Sequence, residues 1–225
     1  MPANFTTPNP ASPAEGSTRR GRFVVVEGAD GAGKTDLCAG LADALRAEGR
    51  DVVALREPGG TALGEQIRTI LKDPASVVCD RAEALLFAAA RAQLVAEVIV
   101  PALDRGAWVL VDRFGDSTEI YQGIARGLGI VTMRELTGFA TAGVTPDRVL
   151  ALQIDVDVAA RRMGRRDGDN PDRMEQSIDM AVIRDGYATI TQRNARAVPV
   201  DANGNHAQVL AAALDALADL RSADG

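Results

Sequence analysis

Gly28-Ala29-Asp30-Gly31-Ala32-Gly33-Lys34-Thr35 matches G-x-x-x-x-G-K-T without a gap, and each residue type in it serves phosphate chemistry. The glycines let successive backbone N–H groups converge on phosphate oxygens, at the positive end of a following helix. Lys34 is expected to reach the outer phosphates, and the Thr35 hydroxyl to ligate Mg²⁺. The motif follows a β-branched run, Phe23-Val24-Val25-Val26, and precedes an apolar-periodic stretch, Lys34 to Glu48. Strand, glycine-rich turn and helix in that order are the context the motif needs. The implied ligand is a nucleoside triphosphate, gripped by Gly28 through Thr35.

A second cluster narrows the chemistry. Asp112-Arg113 follows another apolar run, Trp108-Val109-Leu110-Val111. An aspartate there suits outer-shell Mg²⁺ work, whereas an adjacent arginine has no use in a plain hydrolase and suits a second anion beside the moving phosphoryl group. No N-K-x-D guanine-reading motif occurs. Phe87 and Arg91 lie one helical turn apart, as do Ser117 and Tyr121, with Gln122 adjacent. By pattern alone these also describe a core phenylalanine, a solvated arginine and a half-buried tyrosine. The run Arg161-Arg162-Met163-Gly164-Arg165-Arg166 reads either as a solvated face or as a cationic clamp.

Other chemistries are excluded by composition. The single histidine, His206, follows the turn signal Asn203-Gly204-Asn205 and is expected to start a helix. Cys38 and Cys79 have neither disulfide-framework nor metal spacing and are expected to be small buried apolar residues. Catalysis must therefore run on carboxylates, arginines, backbone amides and the lysines Lys34 and Lys72. A net charge of -6 and 4% aromatic content argue against a nucleic-acid binder. No uninterrupted apolar run approaches the ~18 residues of a membrane span.

The elements that must position these residues alternate. Strands are expected at Phe23–Val26, Val52–Leu55, Trp108–Val111, Arg148–Leu152 and Ala197–Val200, the last short or at an edge because of Pro199. Helices are expected at about 34–48, 61–72, 81–105, 117–126, 132–141, 158–166, 175–196 and 206–221. That alternation predicts a parallel sheet covered on both faces. With 225 residues and 46% hydrophobic content, one domain from residue 21 to 225 suffices, preceded by a proline-rich tail over 1–20 that reads as disordered.

Five segments taken together resemble the thymidylate kinase family: EGADGAGKT (27–35), REPGGT followed by LGEQIR (56–68), EALLFAAARAQ (83–93), DRFGDSTEIYQG (112–123) and DRMEQ (172–176). The resemblance implies a three-layer α/β P-loop NTPase fold of the nucleoside monophosphate kinase kind, with a five-stranded parallel sheet flanked by helices. It implies phosphorylation of dTMP to dTDP with ATP and Mg²⁺, in a cytoplasmic homodimer. Phe87 is then expected to stack on thymine and Arg91 to hydrogen-bond its carbonyl. Gln122 would lie close to the base, Tyr121 near the sugar, and Ser117 in the nucleoside pocket. Arg68 and Arg113 would hold the acceptor phosphate, Asp30 would contact the 3′-hydroxyl, and Glu57 would join Thr35 and Asp112 around Mg²⁺.

The family places its catalytic arginine either in the phosphate loop or in a mobile lid. The loop position is Gly31, so the resemblance assigns the role to a lid at about 161–173, with Arg165 and Arg166 first and Arg173 and Glu175 behind them. Lys34 and Arg113 complete the expected catalytic set. Ile120 stands where the family usually has alanine, which leaves the pocket width there open. The residues also admit a kinase of another nucleotide, such as dUMP or UMP, or a non-catalytic ATP-binding switch. The acceptor-phosphate arginines argue against the switch.

Overall fold

Five β-branched runs assemble side by side in the computed structural model, which describes residues 20–164 and 179–222. The strands are β1 (Arg22–Gly28), β2 (Val52–Arg56), β3 (Trp108–Asp112), β4 (Arg148–Gln153) and β5 (Ala197–Asp201). They form one parallel sheet in the order β2-β3-β1-β4-β5. The central strand β1 is the one that leads into the phosphate motif. Pro199 lies in β5, at the sheet edge, where its missing N–H leaves no ladder bond unmade.

Side-chain alternation along β1 feeds two cores. Val24 and Val26 pack with α1 (Lys34–Ala47), α8 (Met180–Arg193) and α9 (His206–Asp215), burying Leu37, Leu41, Ile183, Ile190 and Val209. Phe23 and Val25 face the helical run over 80–104, with Leu94, Ile99 and Leu103. Each wholly buried aliphatic side chain of this kind contributes roughly 1.5–3 kcal/mol relative to exposure. The sheet is thus covered on both faces, as the strand–helix alternation requires.

The remaining helices are α2 (Ala62–Lys72), α3 (Asp80–Leu94), α4 (Val100–Asp104), α5 (Gly115–Thr118), α6 (Ile130–Ala140), α7 (Val156–Met163) and α10 (Ala218–Ser222). Two differences from the sequence expectation concern π-helical turns. The run over 81–105 is interrupted at Val95–Ile99, one turn ahead of Pro101, which cannot donate into a regular ladder. The run over 117–126 is a short α-helix followed by a π-helical segment, Glu119–Ala125, which carries Tyr121 and Gln122.

Asp80–Asp104 is also, by length and composition, apolar enough to cross a membrane, although no single apolar run in it is long. Here it covers the sheet. Cys38 is buried as expected, but Cys79 is exposed, because it stands at the N-terminal boundary of α3 rather than inside an apolar face. His206 opens α9 behind the Asn205–Gln208 capping box. The tail over 1–19, Arg165, Arg166, Arg173, Glu175 and most of the expected lid lie outside the described residues.

Candidate active site

The carboxyl ends of β1 and β3 lie side by side, with Val26 in register with Asp112. Arg113 extends this pairing by donating its N–H to Val26 O at 3.0 Å, and Glu57 donates to Asp112 O at 2.9 Å. Three separate sequence segments therefore meet at the phosphate motif. They border a cavity of about 200 Å³ lined by Asp30, Gly31, Lys34, Thr35, Glu57, Arg68, Phe87, Arg91, Asp112, Arg113, Ser117, Tyr121 and Gln122, among others. Every expected nucleotide-site residue outside the loop's glycine and alanine frame borders this one cavity, apart from those beyond the described residues.

The phosphate loop is shaped by its glycines. Gly31 has φ 79°, and a Cβ there would sit 2.7 Å from the Ala159 carbonyl oxygen of α7. That position has no room for a side chain, so an arginine could not be carried at it. Lys34 is buried and donates from Nζ to Ala29 O at 2.9 Å. Burial, with Arg113 nearby, brings its ammonium down to about 8 against the pull of Asp30 and Asp112. A polyanion would reverse that shift.

Thr35 Oγ1 donates to Asp112 Oδ2 at 2.6 Å, while the buried Asp112 Oδ1 has no partner among the described residues. A hydroxyl next to a half-satisfied buried carboxylate is the hard-oxygen donor set that Mg²⁺ accepts, directly or through water. Glu57 is similar: Oε2 receives Arg91, and Oε1 has no partner among the described residues. Burial pushes the Glu57 carboxyl up to about 7, although Arg91 pulls the other way.

Three buried glutamates fix the polar side chains along this cavity, and the sequence singles out only one of them, Glu57. Glu57 fixes Arg91, whose Nη2 also donates to Phe114 O at 3.0 Å, so that this arginine is fully buried and not solvated. Glu83 accepts from Gln122 Nε2 at 2.9 Å and faces Arg126 at 3.5 Å. A carboxylate held by an arginine only accepts, which fixes which end of the Gln122 amide faces it. Glu27 accepts from the Phe114 and Ser117 N–H groups and from Ser117 Oγ at 2.6 Å.

Arg113 is the hub. It adopts φ 69°, a left-handed backbone rarely used outside glycine. Its Nη1 donates to Gly28 O, Ser117 Oγ and Tyr187 OH at 3.0–3.2 Å. Its Nη2 pairs with Asp30 and lies 3.4 Å from Tyr121 OH. Burial raises the Asp30 carboxyl, but Arg113, Lys34 and the Tyr121 hydroxyl outweigh it and hold the group well below the usual carboxylate range. The chain has two tyrosines, and both phenols reach this one guanidinium.

Other placements are simpler. Phe87 is half-buried against Ile67, Leu71 and Ala90 and shares the cavity wall with Arg91. Arg68 Nη1 donates to Pro58 O at 2.9 Å. Ile120 is wholly buried and turned into the core, so it does not narrow the cavity. Thr118, next to Ser117, also lines the cavity and was not anticipated. Arg162 is engaged with Gly204 O at 2.8 Å, on the β5–α9 turn.

The family model described as thymidylate kinase matches residues 26–213. The chain is 45% identical to a thymidylate kinase of Rhizorhabdus wittichii over 205 residues, covering 89% of this chain and 98% of the relative. It is 46% identical to a thymidylate kinase of Deinococcus radiodurans over 158 residues, 70% of this chain and 76% of the relative. It is 48% identical to one of Chromobacterium violaceum over 159 residues, 70% and 74% respectively.

Proposed function

The chain belongs to the thymidylate kinase family, and from that premise we propose that it moves the γ-phosphoryl group of ATP onto dTMP, giving dTDP for DNA-precursor supply. The carrying observation is the shared cavity, where Lys34 and Thr35, Arg68 and Arg113, and Phe87, Arg91 and Gln122 line one wall after another. Triphosphate, acceptor phosphate and a flat base each have residues of fitting chemistry there.

The residues divide the work. Backbone N–H groups from Gly28 to Thr35 cradle the triphosphate, and Lys34 neutralises its outer charge. Thr35, with Asp112 and Glu57 acting through water, would hold Mg²⁺, which when bound spreads charge off the phosphate oxygens. Arg68 and Arg113 grip the acceptor phosphate and hold it in line with the γ-phosphorus, an entropic contribution to rate. Phe87 stacks on thymine, Arg91 and Gln122 present polar edges to it, and Ser117, Tyr121 and Asp30 border the sugar. Since a side chain has no room at Gly31, we assign the charge-neutralising arginine to Arg165 or Arg166.

Leu63 and Ile70 on α2, Leu85 on α3, and Val131 and Phe139 on α6 are exposed apolar residues on neighbouring helices. They support a homodimer formed through this face. Light scattering across a concentration series tests that reading, with a monomer at all concentrations counting against it.

The activity itself is tested by ADP release with ATP·Mg²⁺ against dTMP, dUMP, UMP, dCMP, AMP, GMP and thymidine. Turnover highest with dTMP and weaker with dUMP is expected, since one methyl in a pocket is worth about 1 kcal/mol. ATP binding without acceptor-dependent turnover would overturn the assignment.

A further inference from the structure

Tyr187 lies on α8, 74 residues beyond Arg113, and carries none of the roles above. It is buried, and its hydroxyl stands 3.0 Å from Arg113 Nη1, 2.8 Å from Ser117 Oγ and 3.1 Å from Glu27 Oε2. These distances form a directed relay. Glu27 is an acceptor, so Ser117 donates its proton to it at 2.6 Å. The Tyr187 proton is likewise drawn to Glu27 or Ser117, which turns the lone pairs of both hydroxyls toward Arg113.

The result is an asymmetric arginine. Nη1 faces three fixed acceptors, Gly28 O, Ser117 Oγ and Tyr187 OH. Nη2 faces Asp30 and Tyr121, and Nε has no partner among the described residues. A guanidinium binds phosphate best along a two-nitrogen edge. Resting on the dTMP reading above, we propose that Tyr187 is a positioning residue for the acceptor phosphate: by anchoring Nη1 of Arg113, it reserves the Nε–Nη2 edge for the phosphate oxygens, which displace Asp30. Nη1 has two hydrogens for these three acceptors, so one is shared; without the phenol hydroxyl the acceptor on the α8 side is gone, and the guanidinium can turn that edge away. The reach of Tyr187 depends on its neighbour Gly186, which lets α8 approach Ile120 closely.

The test compares dissociation constants for dTMP and thymidine, measured by calorimetry, in wild type, Tyr187→Phe, Arg113→Ala and the double variant. Tyr187→Phe keeps the buried ring and removes one hydroxyl. The expected result is a loss of dTMP affinity of about tenfold, in the range for a hydrogen bond to a charged group, with thymidine affinity unchanged. In the Arg113→Ala background the same substitution should add nothing. Glu27→Gln, which leaves Tyr187 in place, should give the same phosphate-selective loss if the first variant folds poorly. Equal weakening of dTMP and thymidine would reduce Tyr187 to a packing residue and overturn the proposal, as would an unchanged dTMP constant or a full loss persisting without Arg113. A wild type that binds dTMP no better than thymidine would instead overturn the nucleotide reading beneath it.

Discussion

Ile120 occupies space that Gly186 leaves bare: a Cβ on Gly186 would lie 2.9 Å from Ile120 Cγ2. The bulk that the sequence offers beside Tyr121 is thus taken up by α8 and not by the nucleotide cavity. Gly186→Ala is expected to lower unfolding free energy by about 1–3 kcal/mol through overpacking. Ile120→Ala should cost about 2–5 kcal/mol through the hole it leaves. Together they should cost less than their sum, by about 1 kcal/mol or more. Denaturant unfolding of the four proteins measures the cycle, and strict additivity would mean that the two side chains do not share this space.

Gly31 and Gly49 share a left-handed backbone, at φ 79° and φ 82°, but a Cβ at Gly31 meets α7 whereas one at Gly49 meets nothing within 4 Å among the described residues. Alanine at either should cost roughly 1–2 kcal/mol for handedness. Gly31→Ala must in addition push α7 away from the phosphate loop. Its stability loss should therefore exceed that of Gly49→Ala, and it alone should weaken ATP binding. Parallel unfolding and ATP titrations decide this.

On the proposed assignment, Arg113→Ala removes an acceptor-phosphate donor and leaves the triphosphate cradle in place. Turnover with dTMP is expected to fall on the order of a hundredfold to a thousandfold, the range for loss of one preorganised donor. The ATP dissociation constant should stay within about threefold, a shift of well under 1.4 kcal/mol. Comparable loss of ATP binding would move Arg113 from the acceptor side to the donor side.

Lys34 gives a proton signature. Burial and Arg113 bring its ammonium down to about 8, so at pH 8.5 the free enzyme carries it mostly neutral. Polyphosphate next to it favours the charged form and raises its pKa. Lys34 should therefore contribute uptake of a fraction of a proton to ATP·Mg²⁺ binding at pH 8.5 and almost none at pH 6.5. Calorimetry in two buffers of different ionisation heat reads the uptake, and it should vanish in Lys34→Met.

Asp116 sets a pH dependence of stability. Burial and the neighbouring Glu27 raise its carboxyl from 3.8 to about 7, Glu119 adding to the rise while Asn194 and Arg134 oppose it. The folded chain then binds a proton that the unfolded chain releases. Its contribution to stability is complete below about 3.8 and is lost as pH rises through about 7. Asp116→Asn, which resembles the protonated form, should raise Tm at pH 8 more than at pH 5. The reverse order in thermal melts would mean that the carboxylate is stabilised in the fold.

The sheet and the strand, glycine turn and helix that carry the phosphate motif were legible because their signals are local. Phe23–Val26, the glycines of 28–33 and Lys34-Thr35 sit in one unbroken stretch, and β5 announced its edge position through Pro199. Phe87 with Arg91, and Ser117 with Tyr121, could be paired by helical spacing. Glu27, Glu83 and Tyr187 could not, since each acquires its role from a partner between 39 and 160 residues away. The one available signal for Tyr187 was rarity, as one of two tyrosines in the chain. Cys79 went astray because residue type predicts burial only inside an element, and it stands at the boundary of one. The π-helical turns escaped because an apolar stripe does not register one extra residue per turn.

The convergence of both phenols on Arg113 has a spectroscopic consequence. Fluorotyrosine incorporated uniformly would give a ¹⁹F spectrum of two lines, each reporting on the same guanidinium from opposite nitrogens. Nucleotide titrations could then be followed without cysteine labelling or engineered probes. The line from Tyr121 would sense Nη2 leaving Asp30, while that from Tyr187 would sense whether Nη1 stays where it is.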